Sequence, residues 1–293
     1  MHSGLVVVDK PGGWTSHDVV AKLRSVYGQR RIGHAGTLDP DATGVLLVGL
    51  GRVTRLLRFL QETDKEYRGT VVFGVATSTL DAAGDVLDER PMPVTREQVE
   101  RAALGFLGGV EQVPPMVSAI KVGGRRLHEL ARKGEEVERA PRPVRIDCID
   151  VEDFVPGDRP VATIRVECGS GTYIRSLAAD LGAALGGPAH LGTLRRLRVG
   201  AFGASEAVPL DVIEADPAGA MRTPAEAMRG LPVVTVDAEQ AVRVTHGVAL
   251  PGALAGETAD GPVAVLGPDG VLLAVYERRG PGLRPAVVVA GGS

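Results

Sequence analysis

Apolar runs in this chain are short, and Val45–Leu50 and Ala286–Ala290 are among the longest. Runs of that length make single strands or the inward stripe of a short helix, and fall far short of the roughly 20 residues that cross a bilayer. Between them lie turn formers, helped by 39 glycines and 20 prolines. The segments therefore predict many brief elements joined by tight turns. Leu5–Val8 reads as a strand running into Asp9-Lys10-Pro11-Gly12-Gly13. Ser16 reads as the cap of a helix reaching about Tyr27. Arg30–Gly44 looks too polar and broken for a core element. Tyr67–Ala76, Arg145–Val151 and Val161–Cys168 read as strands, and residues 95–107 and Tyr173–Leu185 as helices. Strands and helices alternate irregularly, which predicts an α+β fold with a mixed, mainly antiparallel sheet rather than a doubly wound one. From about residue 230 the texture becomes uniformly short-stranded, predicting a small β-rich second domain.

Charge matters only when divided. The whole chain carries −3, which argues against a polyanionic ligand. Residues 201–293 account for −5 and residues 1–200 for +2. Within the latter, 115–147 holds eight basic against five acidic side chains. Local basic patches of this kind are compatible with RNA. Two cysteines, Cys148 and Cys168, make neither a disulfide framework nor a zinc site. The amino terminus lacks a signal peptide's layout. The expectation is a cytoplasmic, metal-independent, cofactor-free protein.

The densest polar segment is Arg31–Gly44. Glycines at 33, 36 and 44 permit tight turns, and Pro40 restricts the backbone of Asp39. Asp39-Pro40-Asp41-Ala42-Thr43 also fits the D-x-D-x-T pattern of aspartyl-phosphate enzymes. That reading is set aside because the first Asp there ends an apolar strand, whereas here the apolar strand follows. Gly169-Ser170-Gly171-Thr172-Tyr173-Ile174-Arg175 opens a helix and sets an aromatic ring beside a guanidinium, a pair able to stack on a base and neutralise an anion. It lacks the lysine of a P-loop and the spacing of a dinucleotide fingerprint. Tyr67 stands at a strand start in a protein with four Tyr, five Phe and one Trp.

Taken together these segments closely resemble the TruB family of tRNA pseudouridine synthases. The likeness is carried in order by Asp9–Ser16, Gly33–Pro40 with Ala42-Thr43-Gly44, Lys65–Arg68, Pro114–Lys121, Gly169–Arg175 and Ala189–Leu197. It implies a pseudouridine synthase catalytic domain at 1–229, with an inserted RNA-gripping segment at about 110–147, and a PUA-like domain at 230–293. The implied activity is isomerisation of uridine 55 in the T loop of tRNA to pseudouridine, by base flipping and without cofactor. Asp39 would be the essential carboxylate and Arg175 its positioning partner. Tyr67 would stack on the flipped uracil, Tyr173 and Leu194 would line its pocket, and His34 would contact the RNA as the base leaves. Lys121, Arg125, Arg126, Arg132 and Lys133 would grip the stem-loop. Lys10 and Pro11 match an N-terminal structural motif. The chain departs from many relatives at Ser78, where they have Asp, but keeps Asp81. The acidic tail should contribute little to tRNA contact. The resemblance implies a monomer with no obligate protein partner and no membrane. An RNA-binding or tRNA-folding protein on the same scaffold is the competing reading. A carboxylate held among phosphates favours the enzyme, since binding alone has no use for it.

Overall fold

The structure is a computed structural model that describes residues 2–118, 121–122, 125–126, 137–252, 261–280 and 282–289. It divides into two compact units, Met1–Thr63 with Arg198–Ser293, and Asp64–Leu197.

In the first unit the strand Gly4–Lys10 pairs antiparallel with Thr43–Leu50 through seven consecutive partners, Gly4↔Leu50 to Lys10↔Gly44. Its run Leu5-Val6-Val7-Val8 is buried on both faces, and period-two alternation shares it between two cores. Val6 and Val8 meet Val19, Val20 and Leu23 of the helix Ser16–Val26. Leu5 and Val7 meet Val53, Leu56 and Leu57, which follow from the 3-10 turn Gly51–Arg55 into the helix Leu57–Gln61. Thr15, not Ser16, caps the first helix, in a capping box with Asp18. Ser16 is buried inside the first turn, which frees its hydroxyl for a longer-range contact.

Ile32–Ala35, expected to be irregular, is a strand paired with Thr43–Leu50 from Ile32↔Leu50 to Ala35↔Leu47. Backbone pairing to a central strand, together with burial of Ile32 and Ala35, outweighs the polar composition. An apolar strand thus does precede Asp39, but Gly36-Thr37-Leu38 separate the two, so the D-x-D-x-T placement still does not arise. Only Gly36 (φ 88°) and Gly44 (φ 99°) of the three glycines use left-handed backbone. A second, five-stranded sheet runs in the order Val233–Thr235, Val263–Leu266, Leu272–Arg279, Gly282–Val288, Leu250–Pro251. Its first pair is parallel and the others antiparallel. The helix Ala238–Thr245, capped by Asp237, packs Val244 onto that sheet's core with Tyr276 and Leu283.

The second unit is an antiparallel run in which Lys65–Phe73 pairs with Val161–Cys168, that strand with Arg142–Val155, and the latter with Gly108–Gln112. On the other edge of Lys65–Phe73 lies Ala189–Val199. Lys65, Tyr67, Gly69, Val71 and Phe73 alternate inward. The helix Ile174–Ala184 buries Leu177, Ala178 and Leu181 and packs beside Lys65–Phe73. The mixed, mainly antiparallel α+β architecture is as expected. Lys121–Val122 pairs antiparallel with Arg125–Arg126, while Arg132 and Lys133 lie outside the described residues.

Candidate active site

In the first unit, the backbone on both sides of Asp39 is clamped. Ser16 Oγ accepts from the Leu38 N–H at 2.9 Å and lies 3.3 Å from the Leu38 carbonyl, to which it can donate. Lys10 is wholly buried, and its ammonium donates to the carbonyls of Pro11 (2.9 Å), Trp14 (2.6 Å) and Pro40 (2.8 Å). An ammonium has three N–H donors and no acceptor; three carbonyls are the natural complement. The Asp39 carbonyl accepts from Ala42 N–H at 3.2 Å, closing the turn. Asp39 itself is half-buried. A mere turn former has no need of a buried lysine one residue away. His34, also half-buried, lies opposite Val48 in the strand register. Its ring meets that of His17 edge-on, with centroids 5.4 Å apart at 79°.

The second unit carries the ring and guanidinium residues. Tyr67 is 7% exposed and stands across from Val166. A Cβ on Gly69, two residues on and therefore on the same strand face, would lie 2.7 Å from the Thr193 carbonyl and 3.3 Å from Leu194 Cδ1. The absent side chain lets Leu194 approach the face that carries Tyr67. Gly69 was not singled out from the sequence, where a lone strand glycine carries no such signal. Tyr173 is held at the helix start by buried Gln112, whose Oε1 accepts from the Tyr173 N–H at 2.7 Å and whose Nε2 donates to its carbonyl at 3.0 Å.

Arg175, 4% exposed, donates from Nη1 to the Thr79 carbonyl at 3.1 Å and from Nη2 to the Val117 carbonyl at 2.7 Å. Asp81 Oδ2 lies 3.5 Å from Nη1. Asp81 is fixed in turn, its Oδ1 accepting from Thr79 Oγ1 (2.5 Å) and Ala83 N–H (3.1 Å). The preceding Leu80 adopts φ 63°, a conformation that costs a side-chain-bearing residue energy and persists where surroundings enforce it. Here the enforcement includes a hydrogen bond from Leu191 N–H to the Leu80 carbonyl at 3.0 Å. The turn that keeps Asp81 thus holds Arg175 through the Thr79 carbonyl and the Asp81 carboxylate. Asp81→Asn keeps the shape and removes the charge. It should lower stability by about 1–2 kcal/mol, since one side of a buried pair is lost while Asp81 retains some solvent. It should also lower kcat more than it raises KM. Steady-state kinetics and denaturant melts check this; unchanged kcat would make Asp81 purely structural.

Beside Tyr67 on the inward face sits Lys65, 6% exposed, with buried Arg196 and Cys168 as neighbours. Burial, reinforced by the Arg196 charge, pushes the Lys65 ammonium down from 10.5 to about 8. Burial pushes the Cys168 thiol up to about 11. Below about 8 Lys65 is protonated in folded and unfolded chains alike, and above 10.5 in neither. Between them only the unfolded chain holds the proton, so rising pH favours the folded state. Stability of wild type relative to Lys65→Met should therefore improve by about 3 kcal/mol across that window. Denaturant titrations at several pH values check it.

The structure thus groups Tyr67, Leu194 and Gly69 in one unit and pairs Arg175 with Asp81 there, while Asp39 and His34 belong to the other. Among the described residues, no group of three or more His, Cys, Asp or Glu is placed to hold a metal ion. No described helix is long and apolar enough to cross a membrane.

Family profiles match three consecutive stretches. Residues 24–174 match "TruB family pseudouridylate synthase (N terminal domain)". Residues 175–230 match "tRNA pseudouridylate synthase B C-terminal domain", and 231–290 match "tRNA Pseudouridine synthase II, C terminal". The tRNA pseudouridine synthase B of Thermobifida fusca is 47% identical over 298 residues, covering 99% of this chain and 100% of that protein. Its namesake in Mycobacterium sp. (strain KMS) is 46% identical, covering 98% and 95%. Among solved structures, a chain of a Cbf5-Nop10-Gar1 complex superposes with a TM-score of 0.75 at 27% identity, covering 98% of this chain and 85% of that one. A chain of an H/ACA RNP bound to a substrate RNA containing 2'-deoxyuridine does so with a TM-score of 0.73 at 26% identity, covering 98% and 84%.

Proposed function

This chain belongs to the TruB family of pseudouridylate synthases, and we propose that it converts uridine 55 in the T loop of tRNA to pseudouridine, with the base flipped out of its stack and Asp39 as the essential carboxylate. The observation that carries the role of Asp39 is the double clamp, Ser16 on Leu38 and Lys10 on Pro40. It holds one carboxylate-bearing residue from both sides on an otherwise turn-forming loop.

The reaction breaks the bond from C1′ to N1, rotates the uracil and forms the bond from C1′ to C5, with no net oxidation. The base must leave its loop stack before a side chain can reach it. Asp39 then acts as nucleophile at C1′ or C6, or assists base departure through a glycal. A guanidinium close to a carboxylate favours its ionised form, which is the part proposed for Arg175. The Tyr67 ring stacks on the uracil. Tyr173 and Leu194 line its pocket and exclude water that would capture an intermediate. His34 touches the RNA as the base leaves, and Lys121, Arg125, Arg126, Arg132 and Lys133 hold the stem-loop phosphates. In this reading 1–229 is the catalytic domain, with its insertion at about 110–147, and 230–293 the appended one. Separate family profiles on either side of residue 230 support that boundary. The protein acts in the cytoplasm as a monomer.

The test is pseudouridine mapping in an unmodified T-arm RNA after incubation with purified protein. Product at position 55 alone is expected. No product despite intact binding would replace the enzyme by an RNA-binding or RNA-folding protein.

A further inference from the structure

The strand Gly108–Gln112 is exposed along most of its length, yet its last residue is a glutamine only 3% exposed. A buried amide is costly unless its polar atoms are met. Here a single residue of another element meets both ends: Oε1 accepts from the Tyr173 N–H and Nε2 donates to the Tyr173 carbonyl. Tyr173 is the N-cap residue of the helix Ile174–Ala184. Its own side chain makes no capping bond, and the first turn carries no acidic residue. The turn before it, Gly169-Ser170-Gly171, reaches left-handed backbone at Gly171 (φ 90°), and glycine adds no stiffness of its own. The backbone from which the Tyr173 ring projects is therefore set from outside the helix, by Gln112.

Gln112 also marks a boundary. It lies across from Arg142, the first residue of the strand Arg142–Val155, and residues 113–141 lie between the two in the chain. Two further bonds tie the beginning of that stretch to the same helix turn. The buried Ser176 hydroxyl donates to the Val113 carbonyl at 2.9 Å, and Arg175 Nη2 donates to the Val117 carbonyl at 2.7 Å. Tyr173, Arg175 and Ser176 are thus all fastened to 112–117.

We propose that Gln112 is a positioning residue for the reaction. Its paired bonds hold the Tyr173 ring in the orientation the uracil requires and fasten it to the base of the inserted segment. The proposal rests on the pocket role of Tyr173 given above. A ring whose backbone is set by one buried amide shifts when that amide is lost, and small misplacements cost rate. Phosphate contacts supply most of the affinity for RNA, so binding hardly registers the same shift.

The experiment compares wild type, Gln112→Met, Tyr173→Ala and the double variant on unmodified T-arm RNA, by kcat, KM and affinity, well below each melting temperature. Methionine keeps the unbranched shape but has no N–H and only a weak acceptor. The kcat of Gln112→Met should fall about thirtyfold, with affinity within about twofold of wild type. In the Tyr173→Ala background the same change should cost less than about threefold, because a residue that acts through the ring has nothing left to place. Gln112→Glu keeps the acceptor for the Tyr173 N–H, so it should lose less than Gln112→Met, and it serves the same comparison if that variant does not fold. A purely structural glutamine gives losses that multiply in the double variant. That result, an unchanged kcat in Gln112→Met, or a loss carried by affinity would each overturn the proposal. Unchanged kcat in Tyr173→Ala would overturn it together with the pocket role of the ring. Absence of product from wild type, read separately, would remove the enzymatic reading beneath both.

Discussion

Asp39→Ala should abolish pseudouridine formation, with a rate loss of at least about a thousandfold, while tRNA affinity stays within about twofold of wild type. The dissociation follows from what the carboxylate does. In the proposed mechanism it is used while the glycosidic bond is broken and remade, so removing it acts on the transition state rather than on ground-state binding. Against RNA phosphates a negative charge is, if anything, unfavourable to binding. The clamp makes this variant informative. Ser16 reaches the backbone of Leu38 and Lys10 that of Pro40, so the loop does not depend on the Asp39 side chain for those bonds. Quantifying product and affinity on the same preparation decides the matter. Turnover equal to wild type would remove Asp39 from the mechanism.

Lys10→Met should be the most destabilising of these substitutions. Methionine approximates the volume but leaves three carbonyls without the donors they have now. Because Pro11, Trp14 and Pro40 are themselves exposed, water can replace part of that bonding, and the expected loss is about 2–4 kcal/mol. Activity should fall by more than stability alone accounts for. Once Pro40 is released, Asp39 keeps its chemistry but loses its placement, and small misplacements are costly in catalysis. The measurement is kcat well below the variant's melting temperature, alongside the melt. Lys10→Arg should not rescue it, since a planar guanidinium does not fit a wholly buried site shaped for an ammonium. Full kcat in a folded Lys10→Met would reduce the clamp to a structural feature.

The sheet edges and helix faces were largely legible because their signals are local. Val161–Cys168 reads as a strand from its own alternation, and the helix beginning at Ile174 from the spacing of Leu177, Ala178 and Leu181. The exceptions share a cause. Ile32–Ala35 is a strand through its partner Thr43–Leu50, and Thr15 caps the first helix because burial occupies Ser16 elsewhere. Composition or a single capping rule describes what a residue prefers alone, and tertiary contacts override preferences of about 1 kcal/mol.

By itself the sequence determined the chemistry present: an Asp-Pro loop among glycines, a Tyr-x-Arg helix start, an early tyrosine strand, and six segments in one order that resemble a single family. Those are matters of residue identity and spacing, which a chain carries in one dimension. Only the tertiary structure decided where the long side chains go. The Lys10 ammonium bonds Pro40, Arg175 meets Asp81, and Arg58 bonds Glu277, far along the chain. Coulombic and hydrogen-bond energies depend on distances in space, and no count along the chain contains them.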